Sequence, residues 1–316
     1  MPHIFHKTKH AASSSLLEVH KPETSEDTED MAIITTHYNP CSYNLPRRNY
    51  WRWRHHLGDL EKQLVTVEIS FDGHFMIHDA IKIEAEEKNI LWQKEAAINV
   101  ALKSLPEHIK YVAWLDSDML FENKEWAVQS IDMLKNGHSA VQLFQFIKYL
   151  DVRGKYIWSK IGALWGISNC GNISGCPGGA WIANRDYLDR IGGLTPYMIT
   201  GGGDVPAANG LADVPATFYN DVVSKELTEI EADWIEKAKT LREGKPGFLN
   251  GSVQHLFHGT RKNRQYVARG KMLIDFNPFE DVVIGEQGIL EWTGNNPQLE
   301  EEIKQYFINR REDEEV

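Results

Sequence analysis

The stretch YVAWLDSDMLF, residues 111–121, decides how this chain is read: an apolar run passes directly into two aspartates, Asp116 and Asp118, separated by one serine. Side chains on an extended strand alternate between faces, so residues two apart share a face. If the strand continues through 118, both carboxylates stand side by side at its carboxyl end, where open α/β sheets place their ligands. Two carboxylates held together repel, and one takes up a proton unless a cation intervenes. The spacing therefore points to a divalent cation, Mn²⁺ or Mg²⁺, held by Asp116 and Asp118 and able to engage a diphosphate. A plainer reading has Asp116 capping the next segment and Asp118 solvated in a turn.

The flanks set this strand in an alternating pattern. Upstream, AIITTHY (32–38) reads as a first strand, RRNYWRWRHHLGDLEK (47–62) as a helix, QLVTVEISF (63–71) as a second strand and AIKIEAE (80–86) as a third. LWQKEAAINVALKSL (91–105) places Leu91, Ile98, Ala101 and Leu105 near one helix face and stops at Pro106. Downstream, KEWAVQSIDMLKNG (124–137) predicts a helix closed by Gly137, and SAVQLFQF (139–146) one further strand. This order predicts an α/β fold: a mostly parallel, Rossmann-like central sheet flanked by helices, in a single catalytic domain. The second half is glycine-rich around GNISGCPGGAWIANRDYLDRIGGL (171–194) and TGGGDVPAANGL (200–211). A long polar helix is expected over 217–244, a strand at SVQHLFHG (252–259), a basic helix at RKNRQYVARGKMLI (261–274), and an acidic helix fraying into solvent over 297–316.

The 316 residues are 42 % hydrophobic and 25 % charged, ordinary for a soluble globular chain. No apolar run approaches the ~18 residues a membrane span needs. Residues 1–30 lack both a signal-peptide core and transit-peptide arginines, and read as a disordered leader, with the domain over 31–295 and the acidic tail over 296–316. Three cysteines without metal-ligand spacing suit a reduced, cytoplasmic chain. The net charge of −11 argues against nonspecific binding to nucleic acid through phosphates.

WQKEAAINVALKSLPEHIKYVAWLDSDMLF (92–121) resembles the nucleotide-sugar half of GT-A glycosyltransferases, most of all the inverting β-1,4-galactosyltransferase type, and also the glycosyltransferases encoded by bacteriophages and large viruses. The resemblance implies that Lys94 is the basic residue near the donor diphosphate, Asn99 the helix asparagine of the donor site, and Asp118 the metal-binding aspartate, with Asp116 beside it. GGAWIANRDYLDRIGGL (178–194) followed by GGGD (201–204) is similar to a later glycine-rich segment of that family, which implies Asp204 as the catalytic base and Gly179 in the donor site. FHGTRKNR (257–264) is similar to a segment carrying a third metal ligand, which implies His258; by spacing alone His255 serves as well. The same likeness covers roughly 88–121 and 175–275.

Two departures qualify what the resemblance implies. The family's Glu-Asp pair is Gly203-Asp204 here, so the carboxylate that holds an acceptor N-acetylhexosamine is absent. The first strand ends in Tyr38-Asn39 within THYNP, without the arginine loop that reads uracil.

The chemistry stands apart from the family name. A sugar leaves a nucleoside diphosphate readily only when charge developing on the diphosphate is neutralised, by a cation on Asp118 and His258 with Lys94, or by Arg261 and Arg264. The acceptor hydroxyl needs a base, Asp204, although an acid just before Pro206 is also an ordinary helix start. The glycines at 201–203 would let backbone and sugar approach closely.

RRNYWRWRHH (47–56) is either a helix whose Tyr50, Trp53 and Leu57 pack on the sheet, or a groove in which Trp51 or Arg54 stacks a base. If that cluster and the 261–271 cluster both flank the pocket, the acceptor is a hydroxymethylated DNA base; a glycan acceptor needs no such groove. The expected activity is metal-dependent transfer of a hexose or pentose from a nucleoside-diphosphate sugar, UDP-linked, to a hydroxyl, with inversion. The alternatives are a non-catalytic nucleotide-sugar-binding module and a sugar nucleotidyltransferase.

Overall fold

The computed structural model describes residues 28–171, 175–214, 223–266 and 268–314. Residues 1–27, most of the expected leader, lie outside the described residues, as does the 217–222 portion of the expected polar helix. Strand β1 (Met31–Tyr38) begins where the sequence places it. It is followed by helix α1 (Asn44–His56), strands β2 (Leu64–Ser70) and β3 (Ile81–Glu84), helix α2 (Lys94–Ser104), strands β4 (Tyr111–Leu115) and β5 (Met119–Phe121), and helix α3 (Trp126–Lys135). Then come β6 (His138–Gln142), β7 (Phe146–Leu150), β8 (Tyr156–Ile161), α4 (Ala163–Cys170), β9 (Ala180–Asn184), α5 (Arg185–Ile191) and α6 (Asp204–Ala212). The order closes with α7 (Lys225–Leu241), β10 (Lys245–Phe248), β11 (Ser252–His255), α8 (Ala268–Lys271), β12 (Val282–Ile284), β13 (Leu290–Trp292) and α9 (Pro297–Asn309).

Seven strands form the central sheet in the order β10-β6-β9-β4-β1-β2-β3. All neighbouring pairs are parallel except those of β9, which runs antiparallel between β6 and β4. Strand alternation supplies both layers. Ala32 and Ile34 of β1 face a core built with Ala97, Ile98, Ala101 and Leu102 of α2. Met31 and Ile33 face a second core with Tyr50 and Trp53 of α1 and Trp126 and Ile131 of α3. A second sheet, β5-β11-β7-β8, stands beyond the carboxyl end of β4.

The structure revises several expectations. SAVQLFQF is two strands in different sheets: the Leu143 N–H donates to Ala180 O, whereas those of Gln145 and Phe146 donate to Gly251 O, so the chain crosses between sheets there. The basic stretch 261–274 is not one helix. Turns occupy 261–266, Gln265 has φ +47°, and only Ala268–Lys271 is helical. The C-terminal segment does not fray into solvent. Leu299, Ile303, Tyr306 and Phe307 of α9 enter a third core with Leu91, Met198 and Trp292, and Arg310 and Glu312 beyond the helix are buried. Among the described residues, no helix is long and apolar enough to cross a membrane.

Candidate active site

β4 ends at Leu115, so Asp116-Ser117-Asp118 is a turn rather than the end of a strand: the Met119 N–H donates to Asp116 O at 3.2 Å. That turn corrects the alternation argument, because the two carboxylates diverge. Asp116 faces α2, where Lys94 Nζ lies 2.8 Å from its Oδ1. Asp118 faces β11, which pairs antiparallel with β5 so that His255 stands opposite Met119. The Leu256 N–H donates to Asp118 O at 2.8 Å and fixes that register. Asp116 is thereby separated from the cation cluster in which the sequence reading placed it.

The cluster consists of Asp118, His255 and His258, whose ligating atoms all lie within 4.8 Å of one another. His258 Nδ1 is 3.2 Å from Asp118 Oδ2, and His255 Nε2 is 3.8 Å from Asp118 Oδ1. Spacing offered His255 or His258; the fold brings both. His255 Nδ1 sits 2.8 Å from the Leu256 carbonyl, a contact that turns Nε2 toward Asp118. Burial, with Arg264 and His255 nearby, pushes His258 down to about 3, so its ring is neutral at pH 7. Burial alone would push the Asp118 carboxyl up, but His255, His258 and Arg264 outweigh it and hold the group below the usual carboxylate range. Asp118 Oδ1 is buried without a hydrogen-bond partner. An orphaned anionic oxygen beside two imidazoles suits a divalent cation such as Mn²⁺, which would satisfy all three.

The second half of the site is a carboxylate pair clasped by one lysine. Lys94 opens α2, Asp204 opens α6, and Lys94 Nζ lies 2.8 Å from Asp204 Oδ1 as well as from Asp116. Burial works against charge on Lys94, but Asp116, Asp204 and Glu95 outweigh it and raise its pKa well above the ordinary value. Burial, with Asp204 and Asp118 nearby, pushes Asp116 up to about 6 despite the lysine. Asp204 is indeed a helix-start residue, the first of α6. Its other oxygen lies against Gly178, where a Cβ would come within 2.1 Å of Oδ2, so only glycine fits there. Gly179, with φ +99°, accepts from the Asp116 N–H through its carbonyl at 2.8 Å. The Gly-Gly pair before β9 thus moulds the floor under both aspartates.

These groups line one cavity of about 680 Å³ at the carboxyl ends of β1 and β4. Tyr38, Asn39, Lys94, Asp116, Asp118, Gly179, Asp204, His258, Arg261 and Arg264 all border it. Within that border, Asn39 is engaged with its own loop: Oδ1 accepts from Tyr43 N–H and Nδ2 donates to Tyr43 O. Tyr38 packs edge-on against Phe71 and Phe307. Arg264 donates to His258 O at 3.1 Å and pairs with Glu312, so it braces the histidine loop. Arg261 lies over Trp158 and Tyr266.

Asn99 does not border the cavity. Its amide holds the Leu194 backbone, accepting from N–H at 2.8 Å and donating to O at 2.7 Å, a structural brace. Of the three glycines at 201–203, Gly202 borders the cavity while Gly203 is pressed on Glu95, 2.5 Å from where its Cβ would stand. In α1 the packing account holds: Tyr50 and Trp53 are fully buried and Leu57 nearly so, and Arg54 is tied to Asp79 and Glu61. Neither Trp51 nor Arg54 reaches the cavity.

Sequence reasoning missed Tyr149, Trp158 and Lys160 on the β7–β8 hairpin, and Arg310 with Glu312 on the tail. Alternation in YIWSKI (156–161) was the available signal for Trp158 and Lys160. The tail pair, remote in sequence from everything it touches, left none.

No protein-family model matches the chain, and no curated protein matches it. Among solved structures it is similar to the catalytic domain of Drosophila β1,4-galactosyltransferase 7 in complex with xylobiose, at 14 % identity and TM-score 0.33 over 56 % of this chain and 58 % of that one. The chain thus spans little more than half the length of that solved catalytic domain. It is also similar to S. aureus TarS (12 %, TM-score 0.40, 89 % of this chain and 71 % of that one). A third likeness is to Mycobacterium tuberculosis glucosyl-3-phosphoglycerate synthase in complex with Mn²⁺, UDP-glucose and glycerol 3-phosphate (12 %, TM-score 0.41, 87 % and 93 %). All three are distant.

Proposed function

We propose that the protein is a metal-dependent GT-A glycosyltransferase that moves a sugar from a nucleoside-diphosphate donor, UDP-linked, to an acceptor hydroxyl with inversion. One observation carries the reading: a single cavity at the carboxyl ends of the strands holds both the Asp118–His255–His258 cluster and the Lys94-clasped Asp116–Asp204 pair. The sequence resemblance to that enzyme class supports it.

Asp118, His255 and His258 would hold Mn²⁺ or Mg²⁺, and the cation would supply Lewis-acid neutralisation of the donor diphosphate. In the transfer, the bond between the anomeric carbon and the diphosphate oxygen breaks as the acceptor oxygen bonds to that carbon. The hydroxyl proton passes to Asp204, and the nucleoside diphosphate leaves. General-base help of this kind contributes roughly 10²–10⁴-fold. Lys94 holds Asp204 in place and adds positive charge beside the departing diphosphate. A single displacement assisted by one base gives inversion. Three free thiols, Cys41, Cys170 and Cys176, suit a cytoplasmic setting.

The acceptor reading favours a glycan. α1 borders the cavity through Pro46 and Asn49, but its base-stacking candidates Trp51 and Arg54 do not, and Arg54 is tied to Asp79 instead.

The test is nucleoside-diphosphate release from a panel of sugar nucleotides with Mn²⁺ and then with chelator. Chelator-sensitive release from one donor supports the reading and names the sugar. No release from any donor by folded protein, with or without candidate acceptors, overturns it; calorimetry with the same panel then identifies a binding module.

A further inference from the structure

One wall of the cavity that Asp204 borders is made by β8, and its charges are unbalanced. Tyr149 pairs with Trp158 and Ile147 with Lys160 across the β7–β8 hairpin, so Trp158 and Lys160, two apart, share the face that borders the cavity. The end of β8 is stapled beside the candidate base. The Cys176 N–H donates to Ile161 O at 2.8 Å, and two residues on, Gly178 lies against the Asp204 carboxylate. From the metal cluster outward runs a continuous stack: His255 on Tyr149 at 5.0 Å, Tyr149 on Trp158 at 4.2 Å with planes 8° apart, and the Arg261 guanidinium over Trp158 at 5.2 Å.

Most other cations bordering the cavity have an anion. Lys94 has Asp116 and Asp204, and Arg264 and Arg310 share Glu312. Among the described residues, no carboxylate lies within ion-pair distance of Lys160 or Arg261, although Lys160 is partly buried and the chain carries a net charge of −11. A partly desolvated ammonium without a counter-ion is costly, and a ligand oxyanion would relieve it with charge-assisted hydrogen bonds. Arg261, held over the Trp158 ring, offers a planar fork to the same group.

We infer that the acceptor carries an oxyanion, a carboxylate or a phosphate, close to the reacting hydroxyl, and that Lys160 binds it with Arg261 closing the other side. The inference rests on the glycosyltransferase reading for the word acceptor; the anion subsite itself does not. Neutral saccharides lack the group that neutralises this wall and are poor acceptors.

The experiment compares matched acceptors with the donor that the protein hydrolyses: a neutral hexoside, its 6-carboxylate (the uronoside) and its 6-phosphate. The wild type should favour one or both anions by roughly tenfold or more in kcat/KM, the size of a charged hydrogen bond, and the better of the two identifies the oxyanion. Lys160→Met should raise KM for the anionic acceptor by about the same factor without changing it for the neutral one, and Lys160→Arg should restore the preference. A merely structural role for Lys160 would move both acceptors together. Equal use of neutral and anionic acceptors by an enzyme that does turn over donor overturns the inference and leaves the glycosyltransferase reading standing. If no donor is turned over, binding of the same three saccharides, followed by tryptophan fluorescence in wild type and Lys160→Met, decides the subsite alone: anion-selective, Lys160-dependent binding upholds it, and unselective or absent binding removes it.

Discussion

Glu312 is the residue whose loss should be felt furthest from its place in the chain. It stands near the C-terminus, yet its carboxylate accepts from Arg310 Nε at 2.7 Å and lies 3.6 Å from Arg264 Nη1. The side chains of Arg310 and Glu312 are each 8 % exposed, and that of Arg264 13 %. Glu312→Ala leaves two guanidiniums in this confined site without their anion. Removing one partner of a buried ion pair costs ~3–5 kcal/mol. Both arginines keep aromatic neighbours, Trp92 under Arg310 and Tyr266 under Arg264, and water can enter the space vacated by the carboxylate. The lower end of that range, ~3 kcal/mol, is therefore expected. For a domain of this size it corresponds to a fall in Tm of about 5 °C. Urea denaturation with calorimetry measures it, and Glu312→Ala combined with Arg264→Met should cost less than the two changes summed. Arg264 also donates to the His258 carbonyl, so Mn²⁺ affinity should fall several-fold in the same variant. A loss below ~1 kcal/mol, typical of an exposed pair, would show that the tail is not part of the fold's charge balance.

Four further outcomes are expected. Asp118→Asn should abolish the high-affinity Mn²⁺ signal in an electron-spin titration, a larger loss than the roughly 10–100-fold that removal of an outer-sphere partner brings; unchanged binding would disqualify the cluster. Gly178→Ala forces Asp204 away from its seat, so kcat should fall about 100-fold while Mn²⁺ binding persists; full activity would mean that Asp204 is not the base. Burial pushes the Glu231 carboxyl up to about 8, despite its hydrogen bond from Thr195. Between the ordinary carboxyl value near 4.5 and about 8 the folded protein therefore holds a proton that the unfolded chain has released, so this group makes stability fall as pH rises through that window. Glu231→Gln should flatten the slope in urea titrations at several pH values, and an unchanged slope would refute the burial argument. Asn99→Ala, which strips two hydrogen bonds from the Leu194 backbone, should cost ~1–3 kcal/mol of stability with donor KM unaltered; a raised KM at full stability would return Asn99 to the donor site.

The strands and most helices were legible because their signals are local. Periods of two and 3.6 over β1, β2, β4, α2 and α3 require nothing but neighbours along the chain. Where the reading failed, a non-local term had decided. Nothing within 139–146 announces that Leu143 will hydrogen-bond to Ala180 while Gln145 bonds to Gly251, which are partners in different sheets. Nor does 261–274 announce the left-handed Gln265 that breaks its helical pattern. The acidic look of 310–316 suggested solvent, because charge in a sequence reads as exposure until its partners are known.

The site divides along the same line. Asp116, Asp118, Asp204 and Lys94 lie at ends of regular elements, and their convergence follows from parallel strands that finish on one side of a sheet. The two aspartates do not share a strand face, although alternation predicts that they do. A turn, not a strand, separates them, and it sends one carboxylate to a lysine and the other to two histidines. The outcome is chemically more useful than the expectation. Two carboxylates on one cation would have formed a single charge centre. Divided, they border one cavity as two centres, a cluster suited to a cation and a lysine-held pair, and in the proposed transfer the first would serve the leaving group and the second the attacking hydroxyl.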